Sequence, residues 1–154
     1  MTTILKAISD DRLRAYVIWD PIFGGSFNRE SLNLARSFPD KRVSYFKDPK
    51  SLAGNLWERV LKTGREIAWD VYLLYGADAQ WNEAPPPPDF WMHQLSGVTI
   101  GPRLDDETFT AELRKMLDKL PRKATQKAKP GSGVQPFFSC WVMGICHDLR
   151  LHIR

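Results

Sequence analysis

A chain of 154 residues, 43% hydrophobic and 26% charged, has room for one domain with a true core and is too short for two ordinary ones. Its net charge of +4 is unevenly placed: residues 1–121 hold 16 basic and 17 acidic side chains, whereas residues 122–154 hold 6 and 1. That placement argues against a folded nucleic-acid module, which carries its positive stripe on folded elements, and no apolar run approaches the ~20 residues of a transmembrane helix.

Met1 to Lys6 show no charged region followed by an apolar stretch, so no signal peptide is read and the chain as written is expected in the cytoplasm, away from membranes. The two cysteines, Cys140 and Cys146, are too few for a disulfide framework.

In chain order, Arg14–Trp19 is an apolar, β-branched and aromatic run stopped by Asp20-Pro21 and Gly24-Gly25, which predicts a buried strand and a loop. Residues 28–38 carry Leu32, Leu34, Ala35 and Phe38 and predict a short helix closed by Pro39. Arg42–Phe46 predicts a second strand. Asp48 is a natural N-cap, with Pro49 suited to the first helical position. Leu52, Ala53, Leu56, Trp57, Val60 and Leu61 then repeat on a helical period as far as Gly64.

Trp69–Tyr75 predicts a third strand, apolar enough to be buried on both faces. Pro85 to Pro88 force an extended segment and forbid helix or central strand. Phe90–Leu95 reads as a short strand or a packed loop, and Val98–Ile100 as a final edge strand. The helix at 105–120 is capped by Asp105, stapled by Leu104 and Phe109, and striped by Phe109, Leu113, Met116, Leu117 and Leu120. Residues 122–135 read as a basic linker and 136–154 as a tail of no clear structure. Alternation of strand and helix predicts an α/β fold, with a mostly parallel sheet of about four strands between helical layers.

Leu13–Pro21, Arg42–Pro49, Trp69–Gly76, Trp81, the proline segment and Asp89–Leu95 together resemble a group of bacterial thioredoxin-like proteins, over roughly residues 5–120. The resemblance implies a three-layer α/β/α thioredoxin-like domain over residues 1–121. It also implies a first strand and a helix bearing Cys-x-x-Cys ahead of the strand at 14–19. Only about a dozen residues stand there, and no Cys-x-x-Cys occurs. The domain is therefore expected to be incomplete at its N-terminus, with residues 4–13 as the end of that helix. No catalytic residue carries over.

Asp20 and Asp48 both follow strands, where ligands bind in open α/β sheets, and could act as an acid–base or cation-binding pair. The simpler reading, a cap or turn before proline, is the stronger. His93 could be a base or a metal ligand, but a lone histidine is more often a hydrogen-bonded structural residue. Core packing accounts for most aromatics, leaving Trp81, Phe90 and Trp91 beside the prolines as candidate contacts for a protein or peptide partner. Cys140 and Cys146 match neither redox nor zinc spacing, so no metal and no cofactor are expected.

Three functions follow in order. The first is a thioredoxin-like module without a dithiol, acting by binding or as part of a larger protein. The second is a thiol-disulfide oxidoreductase whose dithiol lies in missing N-terminal sequence or, as the weaker option, in the tail cysteines Cys140 and Cys146. The third and weakest is nucleic-acid binding by the basic tail. Self-association through an exposed sheet edge is a further expectation.

Overall fold

The computed structural model describes residues 2–20, 39–121 and 140–146. The helix expected at 28–38 and the linker at 122–135 lie outside these residues. Helix α1 (Thr2–Ala7) leads into strand β1 (Leu13–Trp19), where Leu13, Ala15, Val17 and Trp19 are buried on one face while Tyr16 and Ile18 are half-buried on the other. Strand β2 (Val43–Lys47) precedes helix α2 (Leu52–Leu61), and strand β3 (Val71–Tyr75) is buried throughout, as its unbroken apolar run predicts. Strand β4 (Phe90–His93), helix α3 (Asp106–Lys119) and strand β5 (Cys140–Cys146) complete the described elements.

The fold is α/β, with one sheet in the order β2-β1-β5-β3-β4. Strand β1 runs parallel to β2 and β5, whereas β3 runs antiparallel to β5 and β4. The sheet is therefore mixed and has five strands, in place of the mostly parallel sheet of about four. The reason is β5. The segment expected to be a tail supplies the central strand, with Gly144 buried opposite Val17 on one side and Tyr72 on the other. The described part of residues 1–121 thus contains two strand pairs that β5 joins. Val98–Ile100 is not a strand; the contact made nearby is one bridge between His93 and Arg103.

Two cores result. On one face α1 and α3 bury Ile4, Leu5, Ile8, Phe109, Leu113 and Leu117 against β1, β3 and Met92. On the other, α2 buries Trp57 and Leu61 against Val71, Leu73 and Tyr75. Helix α3 starts as its sequence predicts: the Asp105 carboxylate accepts from the Thr108 N–H at 2.8 Å, and Leu104 packs into the core that holds Phe109. Helix α2 starts later than Asp48-Pro49 suggested. Its first residue is Leu52, and Ser51 sits at the cap position in the left-handed conformation at φ 52°.

Candidate functional site

The C-terminal ends of β1 and β2 bring Asp20 and Asp48 to the start of α2. Both are buried, and both are committed to hydrogen bonds. The Ser51 hydroxyl donates to Asp20 Oδ1 at 2.6 Å. Asp48 Oδ2 accepts from the Ala53 N–H at 2.6 Å, while its own N–H donates to the Trp19 carbonyl at 2.8 Å. Asp48 therefore satisfies an orphan N–H of α2 from five residues upstream, as a cap does, and its negative charge suits the positive end of the helix dipole. Asp20 holds Ser51 in its left-handed turn. Gly54 completes this corner: a Cβ there would lie 2.2 Å from Ile67 Cγ2 and 3.1 Å from Asp20 Oδ2, so only glycine lets the helix approach. Through these hydrogen bonds the pair builds the start of the helix, as the cap-and-turn reading expects.

The aromatic candidates separate. Phe90 lies on the α3 face, its ring 6.2 Å from that of Phe109. Trp81 lies on the α2 face, with ring centroids 5.1 Å from Tyr75 and 5.9 Å from Trp57. A hydrogen-bonded chain fixes this cluster to the proline segment: Trp57 Nε1–H donates to the Tyr75 hydroxyl at 2.9 Å, which donates to the Pro86 carbonyl at 3.1 Å. Burial pushes the Tyr75 phenol up from its ordinary value, keeping it a neutral donor, against the opposing effect of the Trp57 bond. Trp91 packs under Gly101, where a Cβ would stand 2.6 Å from the indole.

His93 is fully buried, 5.7 Å from the Trp91 ring. Its Nδ1 accepts from the Leu95 N–H at 3.1 Å, which places the proton of the neutral ring on Nε2. Its backbone accepts from Leu104 N–H and donates to Pro102, so the residue pins the chain after β4. Nε2 has no hydrogen-bond partner among the described residues, and no group of three or more metal-ligating side chains occurs among them. The six candidates thus occupy three places: Asp20 with Asp48, Trp81 with Trp91 and His93 on the α2 face, and Phe90 on the opposite face.

The opposite end of the sheet carries the strongest polar constellation, and sequence reasoning passed over it. Arg12 forms a double contact with Asp10 through Nε and Nη2, and Arg42 does the same with Asp40. Each guanidinium then reaches a helix C-terminus. Arg42 donates to the carbonyls of Ile8 and, at 3.0 Å, Leu5, just as Arg12 donates to Leu120 at 2.9 Å. Arg114 adds a bond to Ala7 at 3.1 Å. The side-chain hydrogen bonds from these arginines, more than their charge alone, hold the Asp10 and Asp40 carboxyls below the usual range. The available signal was local: Asp10-Asp11-Arg12 and Asp40-Lys41-Arg42 repeat one Asp-x-Arg pattern directly before two strands. In both, the aspartate accepts from the arginine backbone N–H, at 2.8 and 2.9 Å, which starts the turn.

No helix among the described residues is long and apolar enough to cross a membrane. Comparison of the chain with protein-family models, curated proteins and solved structures finds no match.

Proposed function

We propose that this chain is a thioredoxin-like module that works by binding a protein or peptide partner and not by dithiol exchange. The placement of the two cysteines carries the reading. Cys140 and Cys146 are the first and last residues of β5. At ~3.3 Å per residue their Cα atoms are about 20 Å apart, where a disulfide spans less than ~7 Å. The tail dithiol is therefore closed to this chain. The parallel β2–β1 limb, the antiparallel β3–β4 pair followed by α3, and helices on both faces are compatible with the resemblance.

Insulin reduction tests this. The purified chain is expected to leave the dithiothreitol-driven rate unchanged; a rise that Cys140→Ser with Cys146→Ser abolishes overturns the proposal. The oxidoreductase with an upstream dithiol is the competing reading, and one observation counts against it. Helix α1 runs into β1, and β5 lies parallel beside β1, where a strand preceding α1 would sit in a strand–helix–strand unit. An in-frame strand with Cys-x-x-Cys and a helix, read upstream of Met1 in genomic sequence, would select that reading.

A further inference from the structure

The connection from β3 to β4 is longer than its topology asks for. The two strands are antiparallel neighbours, which a turn of about two to five residues joins. Fourteen residues, Gly76 to Asp89, stand there instead, with Pro85 to Pro88 near their end. The base of this loop is closed by its own bonds. The Gly76 N–H donates to Asp89 Oδ2 at 2.7 Å, and the Asp89 N–H donates to the Leu74 carbonyl at 3.0 Å. The prolines therefore do not close the hairpin. They form a strap over the aromatic shelf of Trp57, Tyr75 and Trp81, where the Tyr75 hydroxyl donates to the Pro86 carbonyl at 3.1 Å. Pro85 is buried and Pro88, one polyproline turn further on, is half-buried, while Pro87 between them is exposed.

We infer that this shelf is a recognition site for a proline-rich segment of another protein, occupied here by the chain's own strap. The strap shows what chemistry the site takes. An extended proline run has carbonyls with no internal partner, and the shelf supplies a donor for one of them. That donor is aimed in advance: the Tyr75 oxygen accepts from Trp57 Nε1–H at 2.9 Å, which leaves its own proton for the strap. Proline also brings no N–H. A buried Pro85 therefore leaves no orphan donor on the shelf, whereas any other residue brings one that needs a partner. The base bonds involve none of the prolines, so the strap can lift while β3 and β4 stay paired. A tethered strap competes at an effective concentration on the order of millimolar, which an untethered partner overcomes with a longer proline run.

This inference rests on the binding reading above and names its class of partner. The probe is a fluorescein-labelled synthetic peptide that copies residues 83–89, titrated into the full chain and read by anisotropy. The unaltered chain should bind it only at about millimolar concentration, because its own strap competes. A strap-opened variant, Pro85→Ser with Pro86→Ser, Pro87→Ser and Pro88→Ser, should bind at least roughly tenfold more tightly. Adding Tyr75→Phe should weaken that binding by roughly three- to tenfold, the loss of one hydrogen bond. A peptide with alanine for every proline should bind more weakly throughout. A cooperative circular dichroism melt verifies that each variant is folded. If the opened variant does not fold, tryptophan emission of the unaltered chain with unlabelled peptide at about millimolar concentration decides. A saturable change with the proline peptide and none with the alanine peptide supports the site; no change, or the same change with both, overturns it. So does a folded opened variant that binds neither peptide, binds both equally, or is indifferent to Tyr75→Phe. A concentration-dependent dimer that strap opening dissolves also overturns it, since a second copy's strap would then be the occupant. Failure here with insulin reduction still absent removes the shelf and leaves the non-redox reading; insulin reduction removes that reading whatever the peptide does.

Discussion

Arg42 shows how much one side chain can join in this molecule. It meets the Asp40 carboxylate in a double contact and closes the C-terminus of α1 through Leu5 and Ile8, while its own carbonyl accepts from Ala15. Removing the guanidinium leaves a largely buried carboxylate and two helix carbonyls without their donors, so Arg42→Ala is expected to cost about 3 kcal/mol, measured by urea denaturation. A shift of a few tenths would place Arg42 outside the stabilising framework. The pH dependence follows from the same contacts. The hydrogen bonds from Arg12 and Arg42 hold the Asp10 and Asp40 carboxyls below the ordinary aspartate value in the folded chain. Their contribution is therefore complete above about pH 4 and lost as pH falls through the lower folded values. Thermal melts between pH 6 and pH 2 should show an acid limb that Asp40→Asn makes shallower; an unchanged limb would assign it to other carboxylates.

At the scale of elements, β5 is the piece on which the architecture turns. It carries seven paired positions to β1 and five to β3, and no other described strand links those two. A chain ending at Pro121 is left with a β2–β1 pair and a β3–β4 pair, and two-stranded units are marginal in water. Such a truncation is expected to lose cooperative thermal unfolding and amide chemical-shift dispersion; a well-dispersed spectrum would show that the first 121 residues fold alone. The helices were more legible. For α3 the cap, the staple and the apolar stripe all act locally, and the structure repeats each of them. For α2 the stripe was right and the start was not, because Asp48 caps it from a distance through the Ala53 N–H and Ser51 takes the turn. A cap set five residues back depends on Asp20 and on the strand ends, which local patterns do not contain.

For the whole molecule, filling the middle of the sheet changes which edges face outward. The edges are β2, five residues long and ending in Lys47, and the four-residue β4, whose end is closed by the His93 bonds to Pro102 and Leu104. Short edges with a charge or a covered end resist pairing, so sedimentation is expected to give a monomer, and a dimer that grows with concentration would contradict this. The sequence by itself determined the α/β class, three of the five strands, with β4 left as a strand or a packed loop, and the apolar faces of α2 and α3, since periodicity and turn chemistry act within a few residues. It grouped Trp81, Phe90 and Trp91 by proximity in the chain, whereas strand alternation sends Phe90 to the opposite face from Trp91. Only the tertiary structure decided that Cys140–Cys146 is the central strand and that the cysteines stand too far apart to pair. The place of that strand depends on pairings between residues 127 positions apart with β1 and 66 to 74 apart with β3, and such pairings leave no periodic trace in either segment.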